Sequence, residues 1–119
     1  MPGEAVITTR PAGARVRVTF NGEVIADTRD ALMLEENGYP PVAYVPRKDV
    51  KMERLIRTSH TSYCPHKGHA TYYSVCNGQT ARNAVWSYEQ PKDSVAAIKE
   101  RLAFYPDRVA IEIGAAGAD

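Results

Sequence analysis

A chain of 119 residues, 44% of them hydrophobic, suits one domain with its own core, needing neither disulfide nor metal to fold. Its 15 basic and 14 acidic side chains nearly cancel to +1, which excludes the basic excess of a dedicated nucleic-acid or membrane-surface binder. No apolar run approaches the roughly 20 residues of a membrane span, and two cysteines are too few for a secreted disulfide scaffold.

The opening stretch MPGEAVITTRPAGAR lacks a charged-then-apolar export pattern, so a cytoplasmic protein with Cys64 and Cys76 both reduced is expected. Residues 1–12 carry Pro2, Gly3 and Pro11 with weak periodicity and read as a loose arm. Val16 to Phe20 alternates apolar and polar residues. Asn21-Gly22 follows, then Glu23 to Ala26, which is a hairpin signature because both turn positions tolerate positive φ. Ala31 to Leu34 is a third apolar run, and Val42 to Val45 a fourth, stopped by Pro46. Asp49 to Arg54 is long enough for one helical turn capped by Asp49. Leu55 to Thr58 resumes a strand. Ala70–Val75 and Ala84–Tyr88 are rich in β-formers, and the segment Cys76–Asn83 between them reads as a long hairpin loop. Val95, Ile98 and Leu102 recur at helical spacing, so a helix over 94–102 is expected, with Lys92 and Asp93 as capping material. Arg108 to Ile113 alternates again as a closing strand, and the tail 114–119 is flexible in composition. The expectation is a single mostly-β domain of small α+β type, with antiparallel sheets packed on each other and one or two short helices.

Four segments stand in a familiar order: YVPRKDV (44–50), TSYCPHKGHATYYSV (61–75), NAVWSYEQP (83–91) and LAFYPDRVAIE (102–112). From Val16 to Glu112 the chain resembles a bacterial family called domain of unknown function 427, which also carries a nucleotidyltransferase-like label. The resemblance implies a β-tent fold, two antiparallel sheets meeting at an angle, as in methionine sulfoxide reductase B. It implies no settled activity. Relatives tend to have Asp where this chain has Asn83. Nucleotidyl transfer needs carboxylates that hold Mg²⁺ and a glycine-rich or basic phosphate cradle. Asp27 and Asp30 are the only closely spaced aspartates, no P-loop pattern is present, and the pair reads as turn-capping residues.

The segment TSYCPHKG holds the densest chemistry. Cys64 has His66 and Lys67 two and three residues away, positive charge that would favour a thiolate, so Cys64 and His66 are the candidate catalytic residues. A buried, inert cysteine at the start of a strand is the competing reading. Lys67 suits an anionic group, Gly68 would let the backbone approach a ligand, and Arg47 could add charge. Strand alternation puts Trp86 and Tyr88 on one face and sets Tyr72 against Tyr73. Tyr63 would wall one side of the turn. Zinc would need about four ligands. Cys64, Cys76, His60, His66 and His69 lack paired spacing, so no metal and no cofactor is expected. Cys76 reads as a loop residue.

Two functions follow. In the first, a small anionic molecule binds in a cleft floored by Trp86 and Tyr88, held by Lys67, His66 and Arg47, with Cys64 at the edge as nucleophile or packing. In the second, the same aromatic surface is an open groove for a peptide or partner protein, with His66 and Lys67 splayed into solvent. Neither involves nucleic acid or membrane, and either suits a monomer or weak homodimer.

Overall fold

The computed structural model describes residues 6–114. Residues 7–36 make one long hairpin. Strand β1 (Ile7–Pro11) pairs with β4 (Leu32–Glu36), and β2 (Val16–Phe20) with β3 (Glu23–Thr28). The tip is Asn21-Gly22, with φ of 48° and 79°, the doubly positive turn whose twist matches the flanking strands. Halfway along, the ladder breaks. Residues 12–15 on one side face 29–31 on the other, a mismatch in length that bends the hairpin. The outer half gains β5 (Val42–Tyr44) and the inner half gains β10 (Ala110–Ile113). A separate sheet runs β6 (Leu55–Cys64), β7 (Gly68–Cys76), β8 (Thr80–Ser87), β9 (Ala103–Phe104).

The mostly-β expectation holds, and every ladder is antiparallel. The strands are shared among three sheets rather than two, because the bent hairpin is split at its corner. The stretch read as a loose arm contains β1. Residues 1–5 of that arm, and 115–119 of the tail, lie outside the described residues.

Three local expectations are corrected. No helix spans 94–102. The segment Asp93–Ile98 is 3-10 and is kinked at the β-branched Val95, with no side-chain cap at Lys92. In a 3-10 turn positions i and i+3 eclipse, so Val95 and Ile98 still point into the core together. Glu100, at φ 63°, then turns the chain, and Leu102 exchanges two backbone hydrogen bonds with Val45. Asp49 caps nothing. It sits in a short 3-10 turn (Arg47–Asp49), where its carboxylate accepts the Thr28 hydroxyl at 2.6 Å and the Lys48 ammonium. The loop after β7 is only residues 77–79, so Cys76 ends a strand. The Asn77 amide donates to Phe20 O and Glu23 in the first hairpin, which pins this turn. The surplus residues form a bulge at 82–84, and β6 bulges opposite it at 58–60. Thr58 joins the two bulges by donating its hydroxyl to Asn83 Oδ1 at 2.7 Å.

The central strand β7 is covered on both faces. Tyr73, Val75, Val85 and Phe104 belong to one apolar cluster with Val16 and Val18. Tyr72, Trp86, Tyr88 and Tyr44 belong to a second with Ile98. The two-residue alternation therefore places Tyr72 against Tyr73, and Trp86 beside Tyr88, as read from the sequence.

Candidate functional site

The second cluster does not close. It leaves a cavity of about 320 Å³, within the range of small-molecule sites. Trp86 near the end of β8, Tyr88 just beyond it, Tyr44 from β5 and Tyr72 from β7 line it, and Cys64 and Lys67 stand at its edge. Residues 64–67 form the turn, closed by the Lys67 amide donating to Cys64 O at 3.2 Å, with Pro65 at the position that favours its fixed φ. Lys67 O then accepts the Lys92 amide at 2.9 Å, which docks the turn onto residues 90–92.

This docking gives Gly68 its purpose. The residue is buried at φ 112°, and a Cβ there would stand 3.4 Å from Gln90 O. The close approach it permits is to the chain's own backbone, not to the cavity.

Lys67 turns inward. Its Nζ donates to Glu36 Oε1 at 2.8 Å, and both side chains are nearly buried, at 12% and 14% exposed. The Cys64 Sγ lies 3.7 Å from the same ammonium. An ammonium has three N–H donors. Glu36 takes one and Cys64 accepts a second weakly, so one has no acceptor among the described residues.

The phenols add further donors. Burial pushes Tyr88 up to about 12, with the nearby Cys64, Tyr72 and Glu36 acting in the same direction. Burial also raises Tyr44 well above the usual phenol range, against the opposing effect of the indole Nε1–H that Trp86 donates to its oxygen at 3.2 Å. Tyr105 is raised by burial and by its hydrogen bond with Tyr72. All three remain protonated at neutral pH. Trp86 is held between them, tilted against Tyr105 at 4.5 Å and edge-on to Tyr44 at 6.3 Å.

The structure brings Cys64, Lys67, Trp86 and Tyr88 together and leaves the other sequence candidates elsewhere. His66 is exposed at the turn tip and does not line the cavity. Tyr63 is 54% exposed, stacked near His69 and beneath the Lys92 ammonium. Arg47 is committed to a different network. It donates to Glu100 O at 2.6 Å, to Tyr73 and Ser87 at 3.3 Å, and to Glu89 at 3.0 Å. Glu36 escaped sequence reasoning. A signal for Glu36 was present: strand alternation puts it on the face of Leu34, which is buried.

Residues 8–114 match the family model described as domain of unknown function DUF427, labelled NTP_transf_9. The chain belongs to the DUF427 family. A search of the curated proteins finds no match. The transferase label on the DUF427 model has no carboxylate pair to point to in the hairpin. Asp27 is held by Arg15 at 2.6 Å and Asp30 by Lys48 at 2.9 Å. Among the described residues, no three His, Cys, Asp or Glu side chains group so as to hold a metal ion. No described helix is long and apolar enough to cross a membrane.

Proposed function

We propose that this DUF427 domain binds a small organic molecule through an anionic oxygen group, a carboxylate or phosphate, in the cleft between Lys67 and Trp86. One observation carries the reading: the cleft is rich in donors and poor in acceptors. Lys67 and the protonated phenols of Tyr44 and Tyr88 face, among the described residues, a single carboxylate, Glu36, which Lys67 already engages, while Tyr105 is hydrogen-bonded to Tyr72. Donors in an apolar cavity ask for a ligand that brings its own acceptor oxygens. The flat walls of Trp86 and the tyrosines supply the contact area.

The Lys67–Glu36 pair has no net charge, so the pair offers an anion a hydrogen bond rather than a strong field. A charge-assisted hydrogen bond contributes roughly 1.5–3 kcal/mol. The inward-turned Lys67 favours this reading over the open-groove alternative, which has both His66 and Lys67 splayed into solvent and of which only the exposed His66 fits. The two unpaired thiols suit a reducing, cytoplasmic setting.

The chain contains one tryptophan, and it lines the cleft, so its fluorescence reports occupancy directly. Titration with small carboxylates, sugar phosphates and nucleotides should change Trp86 emission for at least one class. The same ligand should slow alkylation of Cys64. Lys67→Met should weaken it tenfold or more, and Glu36→Gln, which removes the competing carboxylate, should strengthen it. Absence of any response across the three classes defeats the reading, as does a response unchanged in Lys67→Met.

A further inference from the structure

The cleft has a neighbour. A second cavity, of about 430 Å³, opens between β2 and β10 on one side and β5, β8 and β9 on the other. Val18, Val45, Phe104 and Ile111 form its inner walls, and no charged side chain among the described residues lines it. Tyr39, Pro40, Val42 and Trp86 line both cavities, so the two are adjacent, with the exposed Tyr39 at their common rim. The smaller cavity offers an ammonium and phenols, and the larger offers mostly apolar surface.

We infer that the ligand is an amphiphile, a medium-length unbranched carboxylate whose head meets Lys67 and Tyr88 and whose alkyl tail lies in the apolar cavity. The inference rests on the binding reading above and extends it. A head group alone would leave the larger cavity unfilled, and apolar cavities gain little from water. A purely apolar guest would leave the Lys67 donor and the Tyr88 hydroxyl without acceptors, and unpaired polar groups in a low-dielectric site are costly. Only a molecule with one end of each kind satisfies both cavities. Tyr39 is 68% exposed although it lines both, and it stands in the Asn37–Pro41 connection at the mouth.

The test is a calorimetric series on the full chain, from butyrate to decanoate, each below its critical micelle concentration. Affinity should rise about fourfold for each added methylene, since each buried CH₂ contributes about 0.8 kcal/mol, and then level off as the cavity fills. Ala43→Leu and Ile111→Phe each narrow the apolar cavity without touching the polar one. Either should bring the plateau to a shorter chain while leaving butyrate unchanged, and using both guards against one failing to fold. Lys67→Met should weaken every member equally. Affinity that depends on Lys67 but not on chain length overturns the tail and leaves the head reading standing. Absence of binding at every length overturns the amphiphile and leaves the head reading to the sugar-phosphate and nucleotide titrations, whereas alkanols binding as tightly as carboxylates with no effect of Lys67→Met overturns both.

Discussion

Two cations on this domain looked equivalent in the sequence, and their surroundings make them opposites. Arg47 and Lys67 each meet a glutamate about 3 Å away, Glu89 and Glu36. Arg47 is saturated. Its guanidinium reaches a backbone carbonyl, a phenol, a hydroxyl and a carboxylate, and so ties the turn after β5 to β7, β8 and the Glu100 corner. Lys67 is more deeply buried yet keeps a donor unspent, and it borders a cavity. A basic residue holds structure when its donors tie several elements together. It can hold a ligand when a donor is left over beside a cavity.

The largest expected effect is on the structural side. Arg47→Ala should cost about 3 kcal/mol in urea denaturation, because several hydrogen bonds are lost and Glu89 is left with a weaker set of partners. Adding Glu89→Leu should cost more still, since Tyr73, Thr71 and Arg57 also donate to that carboxylate. Lys67→Met should cost about 2 kcal/mol by leaving Glu36 buried without its cation. Here the second substitution, Glu36→Leu, should restore more than half of the loss. If both double variants behaved alike, the distinction between the two sites would fail.

Acid sharpens the same contrast. Burial works to raise the Glu89 carboxyl, but the Tyr73 hydrogen bond and the charges of Arg57 and Arg47 outweigh it and hold the group below its ordinary 4.5. The folded protein therefore binds this proton less readily than the unfolded chain. The stabilisation is complete above pH 4.5 and is lost as pH falls through the lower folded value. Wild type should thus lose stability below pH 4.5 more steeply than Glu89→Gln, with the two curves converging in acid. Parallel curves would contradict the network.

The smallest effect is expected at the twin bulges. Asn83 has φ 49°, a conformation Asn and Asp both tolerate, and it serves as acceptor for Thr58. Asn83→Asp keeps that acceptor and should change stability by less than about 0.5 kcal/mol. Asn83→Ala loses both the acceptor and the backbone tolerance and should cost about 1–2 kcal/mol.

Much of this was legible before the structure. Alternation along β7 and β8 assigned Tyr72, Tyr73, Trp86 and Tyr88 to their faces, because a strand's period is short and rigid. Asn21-Gly22 was legible because few other pairs accept two positive φ angles. The helix over 94–102 misled, since eclipsed 3-10 positions bury the same Val95 and Ile98 that an α-helix would. Cys64 and Lys67 reach the cleft, whereas His66 and Arg47 do not. Direction within a turn and the choice between glutamate partners depend on contacts remote in sequence: Lys67 with Glu36, Lys67 with Lys92, Arg47 with Glu100. The local pattern around Pro65 and Gly68 carries none of these.

The central claim is that Lys67 has a donor to give. Nitrogen-15 NMR of its side-chain ammonium, with octanoate added stepwise, tests this most directly. The account predicts a shift of the Lys67 ammonium signal together with the Trp86 indole N–H, with His66 and Arg47 unchanged. A shift confined to His66 or other exposed cations, with Lys67 and Trp86 unmoved, would contradict it.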